Sequence, residues 1–215
     1  MSEHEFEPVP GLPAELPTGE RMLWQGAPRW RSLAVQAFHV RKVAVYFALL
    51  AVFQASAALV DGDTLGTALA ASSWLVALGV FAVATLTLLA WLSARGTLYT
   101  LTDRRVVMRF GIALPMTVNL PFAVVESAAT GRRGDGTTDI ALTLARGSRI
   151  GYLVNWPNVR PWHFSRPQPM LRALADGERV ATLLTDALAT AAKPAAGATA
   201  RNASAPETTP LTAAA

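Results

Sequence analysis

Two long apolar runs dominate the pattern of hydrophobic and polar positions along the 215-residue chain. They are Val43–Val60 and Ser73–Ser93, and neither contains Asp, Glu, Lys, Arg or Pro. Each is close to the ~20 apolar residues that cross a bilayer as an α-helix, and neither carries the charged face of a soluble surface helix. Because the rest of the chain is too small to bury both runs, the pattern predicts a two-helix transmembrane hairpin over residues 43–93.

The segment before the first run, residues 29–42, has helical spacing of a different kind. Its apolar positions fall on one face, with basic and amide side chains on the others; they are Trp30, Leu33, Ala34, Ala37 and Phe38. This pattern predicts an amphipathic helix lying in the headgroup region. The alternative is a cytoplasmic extension of the first spanning helix, and the two interpretations differ by a bend near His39–Val43.

Basic residues flank the predicted hairpin but are missing from its loop. The loop Asp61–Ala71 carries two aspartates, whereas basic side chains surround the hairpin at Arg29, Arg31, Arg41, Lys42, Arg95, Arg104, Arg105 and Arg109. Basic flanks remain in the cytoplasm on insertion. The sequence therefore predicts a multi-pass membrane protein with both termini in the cytoplasm.

Small residues form a stripe on the first run, at Ala44, Ala48, Ala51, Ala55 and Ala58. Small side chains let helix backbones approach closely in lipid. We interpret the stripe as the contact that closes the hairpin, and the alternative is a contact with another protein's helix.

After the second run the hydrophobic period changes to two residues. Thr97–Thr102 and Arg105–Phe110 flank the turn Asp103–Arg104 and predict a β-hairpin. Residues 113–121 and 122–130 predict a third and a fourth strand.

A second β-hairpin is predicted beyond the glycine-rich turn Gly131–Gly136. Its arms are Ile140–Leu144 and Ile150–Val154, and its turn is Arg146–Ser148. Pro169–Leu174 predicts a final strand, and Glu20–Gly26, far upstream, predicts a short one. A helix then begins with Asp176 as its N-cap, and its apolar stripe is Val180, Leu183, Leu184, Ala187 and Leu188.

These patterns divide the chain into five parts. They are an extended, proline-rich N-terminal segment (1–28), a juxtamembrane amphipathic helix (29–42), the transmembrane hairpin (43–93), a cytoplasmic antiparallel β-sandwich closed by a C-terminal α-helix (94–192) and a disordered tail rich in Ala, Thr and Pro (193–215).

The chain lacks the residue patterns of most catalytic and metal sites. It has no cysteine, and its histidines His4, His39 and His163 lie far apart. No phosphate-binding loop, dinucleotide fingerprint or nucleophile motif is present. A pairing of His163 with Asp139 or Glu126 is the one catalytic arrangement weighed, and no motif supports it. We therefore expect neither an enzyme nor a metal site.

Basic and aromatic side chains are the candidates for an interface. Beside a membrane hairpin, a chain with 19 basic and 15 acidic residues is expected to meet anionic lipids rather than nucleic acid, or to meet acidic loops of a client protein. The candidate interface residues are Trp24, Trp30, Arg41, Lys42, Arg104, Arg105, Arg109, Arg132, Arg133, Trp156 and Trp162. The alternatives are ordinary solvated charges and, for the two tryptophans of the loop Asn155–Pro169, a cap on the sandwich core.

The order of about seven short strands followed by one amphipathic helix resembles a pleckstrin-homology (PH)-like sandwich. Two motifs resemble those of bacterial membrane-attached PH-like domains: YTLTDRRVVMRFG at Tyr99–Gly111 and GERMLWQGAP at Gly19–Pro28. The segment Glu3–Phe47 is also similar to PuhB-type photosynthetic complex assembly proteins of purple bacteria. That resemblance extends over roughly Glu3–Ala191, although we find two spans where some descriptions of the family give three.

The resemblance implies a non-enzymatic role in the inner, intracytoplasmic photosynthetic membrane. The implied partners are subunits of the reaction centre and core light-harvesting complex. The resemblance also implies that the protein can associate with itself as a homodimer. A lipid-binding or membrane-organising scaffold unrelated to photosynthesis is the alternative. His39, at the edge of the first span, is either a ligand to the magnesium of bacteriochlorophyll or an interfacial histidine bonded to headgroups or backbone; the second interpretation is favoured.

Overall fold

The computed structural model describes residues 15–147 and 150–203, with side chains as far as residue 192. The described elements in chain order are β1 (Met22–Gly26), α1 (Trp30–Gln36), α2 (Val40–Val60), α3 (Leu65–Arg95), β2 (Leu98–Thr102), β3 (Arg105–Phe110), β4 (Met116–Pro121), β5 (Val125–Arg132), β6 (Thr138–Leu144), α4 (Tyr152–Asn155), β7 (Met170–Leu174) and α5 (Gly177–Ala203).

Helices α2 and α3 form the predicted apolar hairpin. Within the described residues they are the two helices long and apolar enough to cross a membrane. Helix α3 begins at Leu65, inside the predicted loop Asp61–Ala71, because Thr64 caps it: the Thr64 Oγ1 accepts a hydrogen bond of 3.3 Å from the Thr67 N–H. The connection between the helices is therefore shorter than the sequence predicted.

Small residues bring α2 and α3 together. Gly79 lies so close to Phe47 that an added Cβ would stand 2.7 Å from the Phe47 Cβ. Ala51 of the alanine stripe is buried, whereas Ala44 and Ala48 border an open apolar groove of about 450 Å³. One side of the stripe thus lies at the helix contact and another faces outward.

Helix α1 is separated from α2 by the bend that distinguished the two interpretations of residues 29–42. The helix ends at Gln36, and His39 adopts a φ of 53° directly before α2 begins. Leu33 and Phe38 are buried in a cluster with Ala90 and Ala94 of α3. The apolar face of α1 therefore contacts protein rather than headgroups, because α3 continues past the hairpin and offers it an alanine surface.

The first sheet is antiparallel, with the strand order β1-β2-β3-β4. The predicted hairpin around Asp103–Arg104 is present, with Leu98 opposite Arg109 and Leu101 opposite Val106. Strand β1 lies at the edge of this sheet, paired with β2. The short strand predicted in the N-terminal segment is thus part of the sandwich, although 71 residues, which include α1 and the helical hairpin, separate it from β2.

The second sheet has the order β5-β6-β7, and it corrects one prediction. The arm predicted at Ile150–Val154 is not a strand, because Tyr152–Asn155 forms the short helix α4. The Asn155 Nδ2 donates a hydrogen bond to the Gly151 carbonyl at 2.8 Å and stabilises this turn. The partner of β6 is instead β7, with Ile140 opposite Leu171. Ser148, in the predicted turn, lies outside the described residues.

The core lies between the two sheets and one face of α5. Buried side chains from both sheets meet Val180 and Leu184 of that helix, and Leu183 and Leu188 pack at the edge. The predicted apolar stripe therefore packs against the sandwich. Helix α5 continues to Ala203, within the range 193–215 for which the sequence predicted disorder; the last residues of that range lie outside the described part of the chain.

Candidate interface at the base of the helical hairpin

The end of the hairpin at which α1 turns into α2 meets the proline-rich loop 156–169. The ring of Phe38 packs edge-on against the indole of Trp156, with a centroid separation of 5.0 Å and an interplanar angle of 69°. Because Phe38 precedes the bend at His39, this contact places the loop beside the first turn of α2. The loop, the bend and the start of the hairpin form one continuous surface.

Large apolar side chains are exposed on this surface. We call Leu153, Val154, Trp156, Trp162 and Phe164 the apolar patch; Trp162 and Leu153 are each 84% exposed and Phe164 is 61% exposed. The Trp162 and Phe164 rings make an edge-on contact at 6.2 Å, and Trp162 has a φ of 65°, in the left-handed region that residues other than glycine rarely adopt. Exposed apolar side chains that cluster on a surface are typical of an interaction site.

A pocket of about 240 Å³ opens beside the apolar patch. The residues that line it are Gln36, Ala37, His39, Tyr152, Trp156, Val159, Pro161, Trp162, Phe164 and Arg172. We call it the Arg172 pocket, because among the described residues Arg172 is the one arginine or lysine that lines it. Arg172 is 4% exposed.

A buried network holds Arg172 in place. Its Nη1 donates to the Pro157 carbonyl at 3.0 Å, and its backbone N–H donates to the Tyr99 hydroxyl at 3.3 Å. The Tyr99 hydroxyl in turn donates to the Asn158 Oδ1 at 2.6 Å. Burial raises the pKa of Tyr99 and lowers the pKa of Arg172, in the second case against the opposing attraction of Asp139.

Asp139, the buried carboxylate whose charge acts on Arg172, is bonded to Arg133. The Asp139 Oδ2 accepts hydrogen bonds from the Arg133 Nε at 2.9 Å and Nη2 at 2.6 Å, while its Oδ1 accepts the Ala173 N–H at 2.8 Å. Both carboxylate oxygens are therefore already engaged. The cluster carries two guanidinium groups against one carboxylate, an excess of one positive charge beside the pocket.

Cationic side chains surround the same end of the hairpin. Arg41 and Lys42 are exposed in the first turn of α2. At the end of α3, the Arg95 Cζ lies 4.7 Å from the centroid of the Trp91 ring. Arg41 also borders, with Trp30, an open cleft of about 550 Å³. Of the residues predicted from sequence, the structure gathers the interface candidates Trp156 and Trp162 at one pocket with His39, the candidate bacteriochlorophyll ligand. The interface candidates Trp30 and Arg41 line a second cleft.

Among the other predicted arginines, several have partners inside the protein. Arg105 is bound to Glu20, with an Nη2–Oε2 distance of 2.8 Å. Arg133 is bound to Asp139, and the exposed Arg132 lies 2.8 Å from a carboxylate oxygen of Glu178. Arg104 and Arg109 lie on the β2–β3 hairpin, and the Arg104 Nη2 donates to the Gly19 carbonyl at 3.4 Å.

Trp24 lies in the sandwich rather than at the hairpin. Its ring packs against the core, and its Nε1–H donates to the Asp176 Oδ2 at 2.8 Å. Asp176, predicted to be the N-cap of α5, therefore uses this oxygen to hold β1. Its backbone carbonyl accepts the Val180 N–H at 3.1 Å and begins the helix.

Sequence reasoning missed Gln36, Tyr152, Phe164 and Arg172 as members of the site. The sequence could have indicated Phe164, because it belongs to a proline-rich loop without the periodic pattern of a buried element. An aromatic residue there is a candidate for an exposed site. Nothing in the sequence indicated Arg172, because a lone arginine in a short apolar strand does not reveal which element covers it. Among the described residues, no three His, Asp or Glu side chains gather in a group that could hold a metal ion.

Comparison with known proteins places these features in a family. The chain is 40% identical over 193 residues to a Rhodobacter capsulatus protein described as an uncharacterized 23.7 kDa protein in the puhA 5′ region, an alignment that covers 87% of this chain and 89% of the relative. No solved structure matches this chain. The bacterial PH domain family matches residues 40–188, from the start of α2 into α5. The resemblance seen in Tyr99–Gly111 is confirmed, and the chain belongs to the bacterial PH domain family.

Proposed function

We propose that this protein is a non-enzymatic membrane assembly factor that assists biogenesis of the photosynthetic reaction centre and its core light-harvesting complex. The observation that carries the proposal is the 40% identity, over most of both chains, to a protein described by its place in the puhA 5′ region. The resemblance of Glu3–Phe47 to PuhB-type assembly proteins supports the same role.

In this proposal α2 and α3 cross the inner, intracytoplasmic membrane, and both termini lie in the cytoplasm. The length of the helices and the outward exposure of large apolar side chains, such as Leu49, Phe53 and Phe81, support membrane insertion. The basic residues at the sandwich end of the hairpin support the orientation. The PH-like sandwich is then held against the cytoplasmic face of the membrane.

The surfaces proposed to meet client subunits are those at the base of the hairpin. The apolar patch and the cleft beside Trp30 and Arg41 present aromatic and arginine side chains, which are enriched at protein interfaces. Self-association as a homodimer is a further prediction, supported by the outward groove beside Ala44 and Ala48. Bacteriochlorophyll ligation by the exposed His39 stays a prediction.

The decisive test is deletion of the gene in a photosynthetic host. Loss of the protein is expected to lower reaction-centre and core-antenna levels, measured by membrane absorption and by pulse labelling of the subunits. Re-expression of the wild-type chain should restore them, and Trp162→Ala/Phe164→Ala, which removes exposed rings, should restore them incompletely. Unchanged levels and unchanged assembly kinetics in the deletion strain would rule out the proposal.

The second candidate is a lipid-binding scaffold without a photosynthetic client, and the apolar patch beside the hairpin favours it. Lipid binding by the chain combined with normal reaction-centre assembly in the deletion strain would support this alternative. The full chain is required for such experiments, because β1 is part of the first sheet and a fragment beginning at Arg95 would lack it.

A further inference from the structure

We propose that the apolar patch is buried in the interfacial layer of the bilayer, where it forms a membrane contact separate from α2 and α3 and holds the sandwich against the membrane. The inference rests on the proposed membrane insertion of the helical hairpin. It concerns the burial of apolar side chains rather than the recognition of a lipid headgroup, and it does not depend on which client the protein serves.

The most exposed apolar side chains of the sandwich lie at the end that the helical hairpin enters. Among the described residues outside α2, α3 and their connection, the large apolar side chains that are more than half exposed are Leu153, Val154, Trp162 and Phe164 of the apolar patch and Ile112 and Leu114 after β3. Phe38, two residues before α2, packs on Trp156 of the patch. Gly111, which follows β3, lies against Gly96 at the end of α3. Both loops therefore adjoin the helical hairpin.

The fold turns the patch outward instead of covering it. The rings of Tyr152 and Phe164 lie 4.5 Å apart and those of Trp162 and Phe164 lie 6.2 Å apart, yet Trp162 and Phe164 remain exposed. The φ of 65° at Trp162 is a conformation that residues other than glycine adopt at a cost. Transfer of these rings from water to an apolar medium is favourable, so a surface built in this way favours a partner that removes it from water.

The composition of this region is typical of a segment that lies at a membrane surface. From Ile140 to Ala175 the chain contains five arginines and no Asp or Glu. Interfacial segments combine Trp, Phe and Leu with basic residues, and indole rings favour the boundary between lipid and water. The bilayer interface therefore matches both the apolar and the charged side chains of the region.

The position of the patch along the helical hairpin agrees with this occupant. Phe38 precedes α2 by two residues, and the exposed Arg41 and Lys42 lie in the first turn of that helix. In the proposed orientation these basic residues mark the cytoplasmic boundary of the span. Because the headgroup layer extends about 5–8 Å beyond the hydrocarbon on each side, the Trp156 ring on Phe38 is at the level of that layer. A client that spans the same membrane reaches the patch there.

Lipid-borne quenchers test this inference in the full chain. The chain has no cysteine, so single-cysteine variants can be labelled with nitrobenzoxadiazole and placed in nanodiscs of phosphatidylcholine, which has no net charge. The variants are Leu153→Cys in the patch, Phe53→Cys in α2 and Ala123→Cys at the far end of the sandwich. Ala123 is exposed, and the neighbouring Phe122 N–H donates to the Arg104 carbonyl in the β2–β3 turn at 3.0 Å.

We expect spin-labelled phosphatidylcholine to quench the labels at Leu153→Cys and Phe53→Cys but not the label at Ala123→Cys. A spin label near the lipid carbonyls should quench Leu153→Cys more strongly, whereas a spin label deep in the acyl chains should quench Phe53→Cys more strongly. The order of the two depths separates a patch in the interface from a further spanning segment.

A matched pair of substitutions in the patch tests the cause of the burial. Phe164→Glu and Phe164→Gln both remove the ring, but only the glutamate adds a charge, which is costly to bury. The label at Leu153→Cys should therefore lose most of its quenching in Phe164→Glu and keep more of it in Phe164→Gln. Since Phe164 is 61% exposed, both variants are expected to fold, and circular dichroism checks this.

Three results would overturn the inference while leaving the proposed membrane insertion intact: quenching of Phe53→Cys without quenching of Leu153→Cys, equal quenching of Leu153→Cys and Ala123→Cys, or quenching of Leu153→Cys that requires an anionic lipid. The last would indicate headgroup recognition instead of apolar burial. Absence of quenching at Phe53→Cys would refute the membrane insertion and the inference with it. No readout depends on reaction-centre levels, so failure of the interfacial contact and failure of the assembly role are separate outcomes.

Discussion

Arg105 donates two parallel hydrogen bonds to the Glu20 carboxylate, from Nε to Oε1 and from Nη2 to Oε2, each 2.8 Å long. The Glu20 side chain is 3% exposed. This ion pair joins the segment before β1 to β3, although the helical hairpin lies between them in the sequence. An arginine that the sequence offered as an interface residue thus holds the N-terminal segment onto the sandwich.

Replacing Arg105 should therefore destabilise the sandwich. Arg105→Met leaves the Glu20 carboxylate buried without its cation, and we expect the free energy of unfolding to fall by about 2–3 kcal/mol. Denaturant unfolding in detergent micelles, followed by tryptophan fluorescence, measures the change. Arg104→Met, at the neighbouring exposed position, is the control and should have little effect; an equal loss in both variants would contradict the assignment.

Gly96 links the end of α3 to the sandwich, and its lack of a side chain is required there. A Cβ at this position would overlap the carbonyl oxygen of Gly111, which follows β3. We expect Gly96→Ala to destabilise the protein by about 1–3 kcal/mol, because backbone atoms must move apart to admit the methyl group. Gly134→Ala is the matched control, since a Cβ there meets no atom within 4 Å; unchanged stability in Gly96→Ala would show that the contact is not required.

Asp135 connects the β5–β6 turn to α1 and should give the protein a stability component that is lost in acid. Burial alone would raise the pKa of Asp135, but hydrogen bonds from Thr137, Ser32 and Gln36 together lower it from 3.8 to about 2. A depressed pKa stabilises the folded state above pH 3.8, and this contribution disappears as the pH falls through about 2.

The corresponding measurement is thermal unfolding of wild type and Asp135→Asn between pH 7 and pH 2. Asp135→Asn should unfold at a lower temperature at neutral pH, and the difference should narrow between about pH 4 and pH 2. Thr137→Val, which keeps the carboxylate but removes one donor, should give an intermediate curve. A difference that stays constant over this range would refute the prediction.

The absence of cysteine from the whole chain makes the proposed orientation directly measurable. In intact spheroplasts, a membrane-impermeant maleimide should label Asp63→Cys, in the connection between α2 and α3, but not Ala175→Cys, in the exposed β7–α5 turn. The expectation follows from the basic residues at the sandwich end of the hairpin. Permeabilisation should make Ala175→Cys reactive, and its labelling before permeabilisation would reverse the topology.

Local pattern was sufficient for the elements whose partners are adjacent in the chain. The apolar runs predicted α2 and α3, and the alternation on either side of Asp103–Arg104 predicted the β2–β3 hairpin with its turn. Periodicity failed at Ile150–Val154. Alternating apolar residues there indicated a strand, yet β6 pairs with β7 and Asn155 closes a helical turn. Strand pairing depends on which backbone reaches the sheet edge, and residue pattern alone does not encode that.

The candidate site was predictable only in part, for the same reason. The sequence singled out His39, Trp156 and Trp162, because exposed aromatic residues and a histidine at the end of an apolar run are recognisable locally. It could not show that Phe38 packs on Trp156, or that Arg172 lies behind them with one unpaired nitrogen. Phe38 and Trp156 are 118 positions apart, and Arg172 is 133 positions from His39.

By itself, then, the sequence determined the apolar hairpin, its charge asymmetry and the order of most strands, since these properties follow from composition and short-range period. The family was indicated by the resemblance of its motifs. Tertiary structure decided which arginines are held within the protein and which face of α1 is covered. It also decided that β1 belongs to a sheet whose other strands follow the hairpin. Long-range pairing set each of these, because burial and charge compensation depend on the neighbours that the completed fold supplies.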